Sequence, residues 1–145
     1  MAYIFNKSLE TGHENIDKQH KKLFEAINNL LDACSKGQGR NELEGTAKFL
    51  YEYTSIHFSD EEKIQKQVGY PDYINHKKYH EEFKNSILEI MKELQLQGPT
   101  IVLIGKVNSK IGDWLVNHIK KEDVKIAEHI KKNSWKRWFY GIYME

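Results

Sequence analysis

The chain has 145 residues, of which 39% are hydrophobic and 30% are charged, and its formal net charge of +1 gives no indication of a nucleic-acid partner. No apolar run reaches the roughly 18 residues of a membrane span, and the opening MAYIFNKSLE lacks the apolar core of a signal peptide. A single cysteine excludes an internal disulfide and fits a reducing compartment, so we expect one soluble, cytoplasmic domain.

Apolar residues recur at three- and four-residue steps in four segments, a period that predicts four helices. The first helix is expected over about residues 17–34, before the glycines of SKGQGR. The second is expected to begin at an N-cap on Asn41, with Glu44 as its capping-box partner, and to end at GYP. The third is expected from about residue 72 to QGPT, and the last over about residues 101–130.

Short connections between long helices favour antiparallel neighbours. The expected fold is therefore all-α, an antiparallel up-down-up-down four-helix bundle formed by residues 1–131. The residues expected on its buried stripes include Leu23, Phe24, Ile27, Leu30, Leu31, Leu43, Ala47, Leu50, Thr54, Ile64, Val68, Phe83, Ile87, Met91 and Leu94.

Residues 132–145 form a separate tail in this interpretation, because basic and aromatic residues are interleaved there: Trp135, Lys136, Arg137, Trp138, Phe139 and Tyr140. Such a segment docks on a membrane surface or a protein partner in some proteins. An ordinary frayed or bundle-packed terminus explains it equally simply and is favoured.

Seven residues with metal-binding side chains continue the apolar stripes: His20, His57, Glu61, His76, His80, His118 and Asp123. Those of the first and third helices lie near the helix starts, and those of the second and fourth lie near the helix ends. In an up-down-up-down bundle these starts and ends are level, so all seven are expected in one layer near one end. A lone histidine on an apolar face is usually a hydrogen-bonded core residue, but seven such groups in one layer favour a metal centre. His13 and His129 fall outside the set and are expected at the surface.

Five imidazoles and two carboxylates exceed the four ligands of a tetrahedral zinc site. Two bridging carboxylates and five terminal imidazoles suit a pair of octahedral first-row metal ions with one position left open. Iron fits a donor set that is rich in imidazole and free of thiolate, while composition alone leaves manganese and zinc open.

Four spacing patterns hold these residues: Asp17-Lys-Gln-His20, His57-x-x-x-Glu61, His76-x-x-x-His80 and His118-x-x-x-x-Asp123. Together with the words ETGHENIDKQH, HFSDEE, GYPDY and NHIKKED, they resemble the hemerythrin family in its bacterial form. The resemblance extends to about residue 130. It implies a non-haem di-iron centre with a bridging oxo or hydroxo group, and reversible O2 binding for carriage, storage, delivery or sensing.

The resemblance also implies a role for each ligand. One iron would be coordinatively filled, and the other would keep an open position for O2, with two carboxylates bridging them. The filled iron would be held by His76, His80 and His118, the open iron by His20 and His57, and the bridges would be Glu61 and Asp123.

Reversible O2 binding requires that water and anions be kept from the open position. The candidates for a dry pocket are five apolar residues within a helical turn of the ligands: Phe24, Phe58, Trp114, Leu115 and Ile119. Ordinary core packing explains each of them equally well, and the resemblance favours Leu115, Trp114 and Phe58.

Three classes of function remain open at this point. The favoured class is an O2-binding protein that is not an enzyme. The alternatives are a di-iron enzyme acting on peroxide or nitric oxide, or an iron-handling protein, and a regulatory module whose shape a separate partner reads. A tight apolar pocket favours carriage, and an accessible open metal favours turnover.

Overall fold

The computed structural model describes residues 3–37 and 39–133, so most of the expected tail, residues 134–145, lies outside the described part of the chain. After a short 3₁₀ turn at Lys7–Leu9, helix α1 spans Glu14–Ser35, α2 spans Arg40–Gln67 and α3 spans Tyr73–Gln97. Helix α4 covers residues 101–133 and includes two π-helical segments, Val107–Asp113 and Ile119–Asp123.

The helices pack as an all-α four-helix bundle, as predicted. α1 contacts α2, α2 contacts α3, and α4 lies against both α3 and α1. No helix in the described ranges is long and apolar enough to cross a membrane.

Helix α1 begins three residues before the predicted start because His13 caps it. The Nδ1 atom of His13 accepts a hydrogen bond from the backbone N–H of Ile16 at 3.3 Å. Asp17 holds the preceding turn, since its carboxylate accepts hydrogen bonds from the backbone N–H groups of Thr11 and Gly12. The expectation of a surface role for His13 is therefore wrong: it is a half-buried cap.

The predicted N-cap of α2 is also wrong. The helix begins at Arg40 with Gly39 in the cap position, and no side chain caps it. The Gly39 carbonyl accepts the first helical hydrogen bond, from the N–H of Leu43 at 3.1 Å. Asn41 consequently lies inside the first turn and is exposed.

The core largely follows the predicted stripes, except that Met91 of α3 is only half-buried and the stripe shifts at the end of α2. Ile64 and Val68 are only half-buried, whereas Gln65 is completely buried. Gln65 follows Glu61 by four residues, a step that keeps both side chains on the inward face of α2. Near this end His129 is half-buried too, and its Nε2 lies 2.9 Å from the carbonyl oxygen of Val68, so its expected surface role is wrong.

An N-terminal arm crosses from α1 to α4 through Tyr3. The backbone N–H and C=O of Tyr3 both bond to the side-chain amide of Asn28, each at 2.8 Å. The Tyr3 hydroxyl donates to Asp113 at 2.9 Å, and the ring lies directly over Gly112, where a Cβ atom would collide with it. Gly112 therefore provides the close approach that seats the arm on the first π segment of α4.

Candidate metal centre

The seven residues expected to bind metal lie in one buried layer near one end of the bundle. The first halves of α1 and α3 contribute His20, His76 and His80. The second halves of α2 and α4 contribute His57, Glu61, His118 and Asp123. Each of these residues is at most 5% exposed. The antiparallel packing thus brings together every residue that spacing had assigned to the layer.

Their donor atoms form two overlapping groups, and within each group the atoms lie within 4.8 Å of one another. The first group contains three imidazoles and two carboxylates, and the second contains two imidazoles and the same two carboxylates. The first is Glu61, His76, His80, His118 and Asp123; the second is His20, His57, Glu61 and Asp123. This is the arrangement that two metal ions sharing two bridging carboxylates would require.

Each shared carboxylate turns one oxygen toward each group. Glu61 Oε1 lies 2.8 Å from His76 Nε2, while its Oε2 lies 3.3 Å from His57 Nε2. Asp123 Oδ1 lies 3.1 Å from His118 Nε2, while its Oδ2 lies 3.0 Å from His20 Nε2. The two oxygens of one side chain are therefore available to two different ions.

Several of these inward-facing atoms are buried without a hydrogen-bond partner. They are His20 Nε2, His57 Nε2, Glu61 Oε2, His80 Nε2, Asp123 Oδ1 and Asp123 Oδ2. Unpaired buried polar atoms are costly in a folded protein, and lone pairs that crowd together without bonding are satisfied by a cation. The donor set, five imidazoles and two carboxylates with no thiolate, fits first-row metal ions such as iron.

The charge state of the layer is mixed. Burial acts to lower the pKa of His76, but hydrogen bonds and charges of Asp123 and Glu61 raise it to about 9, so a bound metal ion would replace a proton there. Burial and the nearby Asp123 charge act to raise the pKa of Glu61, but the close imidazoles around it, with His76 Nε2 at 2.8 Å, outweigh them and lower it well below its usual range. Burial acts likewise on Asp123, and His118 leads the groups that lower its pKa well below the ordinary value. Burial lowers the pKa of His57. Ionised carboxylates and a neutral imidazole are the forms that bind metal.

Two residues that the sequence analysis missed orient the imidazoles from outside. His57 Nδ1 donates to Gln19 Oε1 at 2.7 Å, and Gln19 Nε2 donates in turn to Asp60 Oδ2 at 2.9 Å. His80 Nδ1 donates a hydrogen bond to Glu62 Oε2 at 3.0 Å. Because each Nδ1 carries the proton, each Nε2 keeps its lone pair directed into the layer. The sequence signal for Gln19 and Glu62 was that each directly neighbours a candidate ligand, His20 and Glu61.

The second π segment explains how His118 and Asp123 share a face. Five residues separate them, which in an α-helix would rotate their side chains about 140° apart. Residues Ile119–Asp123 are π-helical, and the i→i+5 bonding of a π-helix returns the fifth residue toward the starting face. The sequence signal was the five-residue spacing itself.

The five expected pocket residues take up two kinds of position. Phe24, Phe58, Leu115 and Ile119 are buried, whereas Trp114 is half-buried. The Phe58 ring stacks on His80 with centroids 3.7 Å apart, and Trp114 stacks on His118 at 4.5 Å. These two aromatic rings therefore pack on imidazoles of the three-imidazole group.

An all-α bundle enclosing two overlapping His/carboxylate groups defines a dinuclear metal-binding four-helix protein. Residues 11–130 match the model of the family described as Hemerythrin, Hemerythrin HHE cation binding domain. The chain belongs to the hemerythrin family. Hemerythrins are O2-binding non-haem di-iron proteins, so the predicted class and cofactor are confirmed.

Individual relatives agree with this assignment. The chain is 34% identical over 126 residues to a myohemerythrin of Theromyzon tessulatum, a match that covers 85% of this chain and 89% of the relative. It is 31% identical over 128 residues to a bacteriohemerythrin of Campylobacter jejuni, covering 87% and 93%. A crystal structure of wild-type hemerythrin superposes with a TM-score of 0.77 at 29% identity, covering 89% of this chain and 98% of the other.

Proposed function

We propose that this chain binds O2 reversibly at a pair of iron ions and serves in O2 carriage, storage, delivery or sensing rather than in catalysis. The observation that carries the proposal is the pair of overlapping donor groups, each sealed inside the bundle. Two ferrous ions bound there would supply the open coordination position and the electrons on which O2 binding draws.

The unequal size of the two groups supports the assignment of ligands. His76, His80 and His118 would hold one ion, and with both carboxylates they leave it little room for a further ligand. His20 and His57 would hold the other ion, which has one imidazole fewer and keeps the open position. Glu61 and Asp123 would bridge, neutralising charge on both ions and setting their separation.

The surroundings of the two-imidazole group favour carriage over turnover. The side chains of His20 and His57 are 0% exposed. We assign the wall of the O2 pocket to Phe24, Phe58, Leu115 and Ile119, with Trp114 covering His118 from the outer side. An apolar wall excludes water and anions, whose access would convert reversible binding into oxidation.

A cytoplasmic location belongs to the same proposal, because the one cysteine is buried and unpaired. A sensing role would require a separate partner to read the state of the site.

Anaerobic reconstitution with ferrous iron, followed by cycles between air and argon, tests the proposal. A visible charge-transfer band that appears in air and disappears under argon over repeated cycles is expected. A band that forms once and persists under argon would instead identify one-way oxidation.

A further inference from the structure

Thr54 is a polar residue in an apolar layer directly beneath the metal-binding layer. On the other three helices, the inward positions about one turn from a ligand are apolar: Phe24, Phe83 and Leu115 are all buried. Thr54 is 0% exposed and lies three residues before His57. Seven residues, about two helical turns, separate it from Glu61, so the two side chains point in the same direction to within about 20°. Thr54 therefore faces the bundle axis below the centre.

The hydroxyl of Thr54 has no hydrogen-bond partner. Threonine and serine in a helix commonly donate to the carbonyl four residues earlier. Thr46 and Ser55 in the same helix do so, to Glu42 and Tyr51, each at 3.0 Å. Thr54 alone of these three leaves its Oγ1 without a protein partner inside the bundle, which is unfavourable unless a ligand or a buried water completes it.

The position of Thr54 indicates which ligand that is. It lies one turn from His57, an imidazole of the two-imidazole group, to which the open position was assigned above. A hydrogen bond is strongest to an acceptor that carries negative charge, and O2 gains negative charge when the irons bind it.

We propose that the Thr54 hydroxyl donates a hydrogen bond to the O2 molecule or small anion bound at the His20–His57 side of the centre. This inference rests on the proposed function and adds to it a polar residue that sets ligand affinity. The apolar neighbours keep solvent out, and Thr54 provides a single directed donor within them.

Azide, a small anion, is the probe. The experiment titrates azide into the oxidised, iron-loaded protein and records the infrared antisymmetric stretch of the bound anion. Thr54→Val replaces the hydroxyl with a methyl group of similar shape. We expect it to raise the azide Kd about tenfold, the factor that corresponds to about 1.4 kcal/mol, and to shift the azide stretch.

Two controls accompany this variant. Thr54→Ser keeps the hydroxyl and is expected to retain wild-type azide affinity and stretch. Thr46→Val removes a hydroxyl that bonds within the same helix and is expected to leave azide binding unchanged.

Urea unfolding of the metal-free proteins supplies a readout that does not depend on the irons. If the hydroxyl is unpaired, metal-free Thr54→Val unfolds at the same or a higher urea concentration than the wild type. Weaker azide binding with undiminished metal-free stability supports the proposal. Weaker azide binding accompanied by lower metal-free stability would assign Thr54 to ordinary packing and overturn the proposal, as would an azide Kd within about twofold of wild type.

The azide titration uses the oxidised protein. Irreversible O2 uptake by the wild type would therefore refute the proposed function without altering the azide result.

Discussion

Asp123 Oδ1 and His118 Nε2 lie 3.1 Å apart, although a five-residue step along an α-helix would turn them away from each other. The π segment at Ile119–Asp123 removes that rotation. Both side chains of α4 consequently reach the same layer, and Asp123 can be shared between the two donor groups. The π segment at Ile119–Asp123 is thus a requirement of the site.

The shared position of the carboxylates leads to a prediction about metal content. Glu61→Ala or Asp123→Ala is expected to lose iron from both positions, because each carboxylate directs one oxygen to each group. His118→Ala, the matched control, removes a donor from one group and is expected to retain the ion of the other. Elemental analysis after reconstitution makes the comparison. Two irons per chain in either carboxylate variant would contradict the bridging assignment.

Metal removal is expected to destabilise the fold, since the donors come from all four helices and a bound ion stabilises the state that binds it. At a free metal concentration of a thousand times Kd, the gain is about 4 kcal/mol. Urea unfolding of metal-free and iron-loaded protein under argon measures the difference. Equal midpoints for the two forms would argue against a centre that joins the helices.

Leu115 lies three residues before His118 and is completely buried. Leu115→Ala is expected to open the pocket wall, so that oxidation in air and azide association both become faster, at a stability cost of about 2–5 kcal/mol. Leu103→Ala, in the same helix and equally buried, is the control for that cost. Stopped-flow absorbance measures both rates. If the two variants behave alike, Leu115 is ordinary core.

Gln65 is completely buried, and neither polar atom of its side-chain amide has a hydrogen-bond partner. Gln65→Met has nearly the same shape and removes the unpaired groups, so we expect the metal-free protein to gain about 1–3 kcal/mol in free energy of unfolding. Gln97→Met, at an exposed position, is expected to change it by less than about 0.5 kcal/mol. Urea unfolding measures both, and a loss of stability in Gln65→Met would show that the amide is paired.

Gly112 lies directly beneath the ring of Tyr3, so an added methyl group must displace the N-terminal arm. Gly112→Ala is expected to lower the free energy of unfolding by about 1–3 kcal/mol. Gly105→Ala has open space around it in the same helix and is expected to be neutral or stabilising by up to about 1 kcal/mol. Thermal unfolding distinguishes them. Equal effects of the two substitutions would mean that Tyr3 is not held against α4.

The sequence by itself determined the helical class, the four segments and the convergence of the seven candidate ligands in one layer. These features depend on short-range periodicity: an apolar repeat defines a buried face, and breaks at glycine and proline set the alternation of direction. His57 with Glu61, and His76 with His80, are one turn apart and therefore share a face in any α-helix. The height of each pair along the bundle axis then followed from the alternating direction of successive helices.

Only the tertiary structure decided the features that depend on contacts distant in sequence. Gln19 reaches His57 across the α1–α2 interface, and Tyr3 reaches Asp113 across the bundle. The π segments of α4 could not be predicted, because no local residue preference indicates a π-helix. The five-residue spacing of His118 and Asp123 requires a π segment only if both side chains face the same layer. The unpaired hydroxyl of Thr54 was likewise hidden, because a helical repeat assigns a residue to a face but does not determine which partners its polar atoms find there.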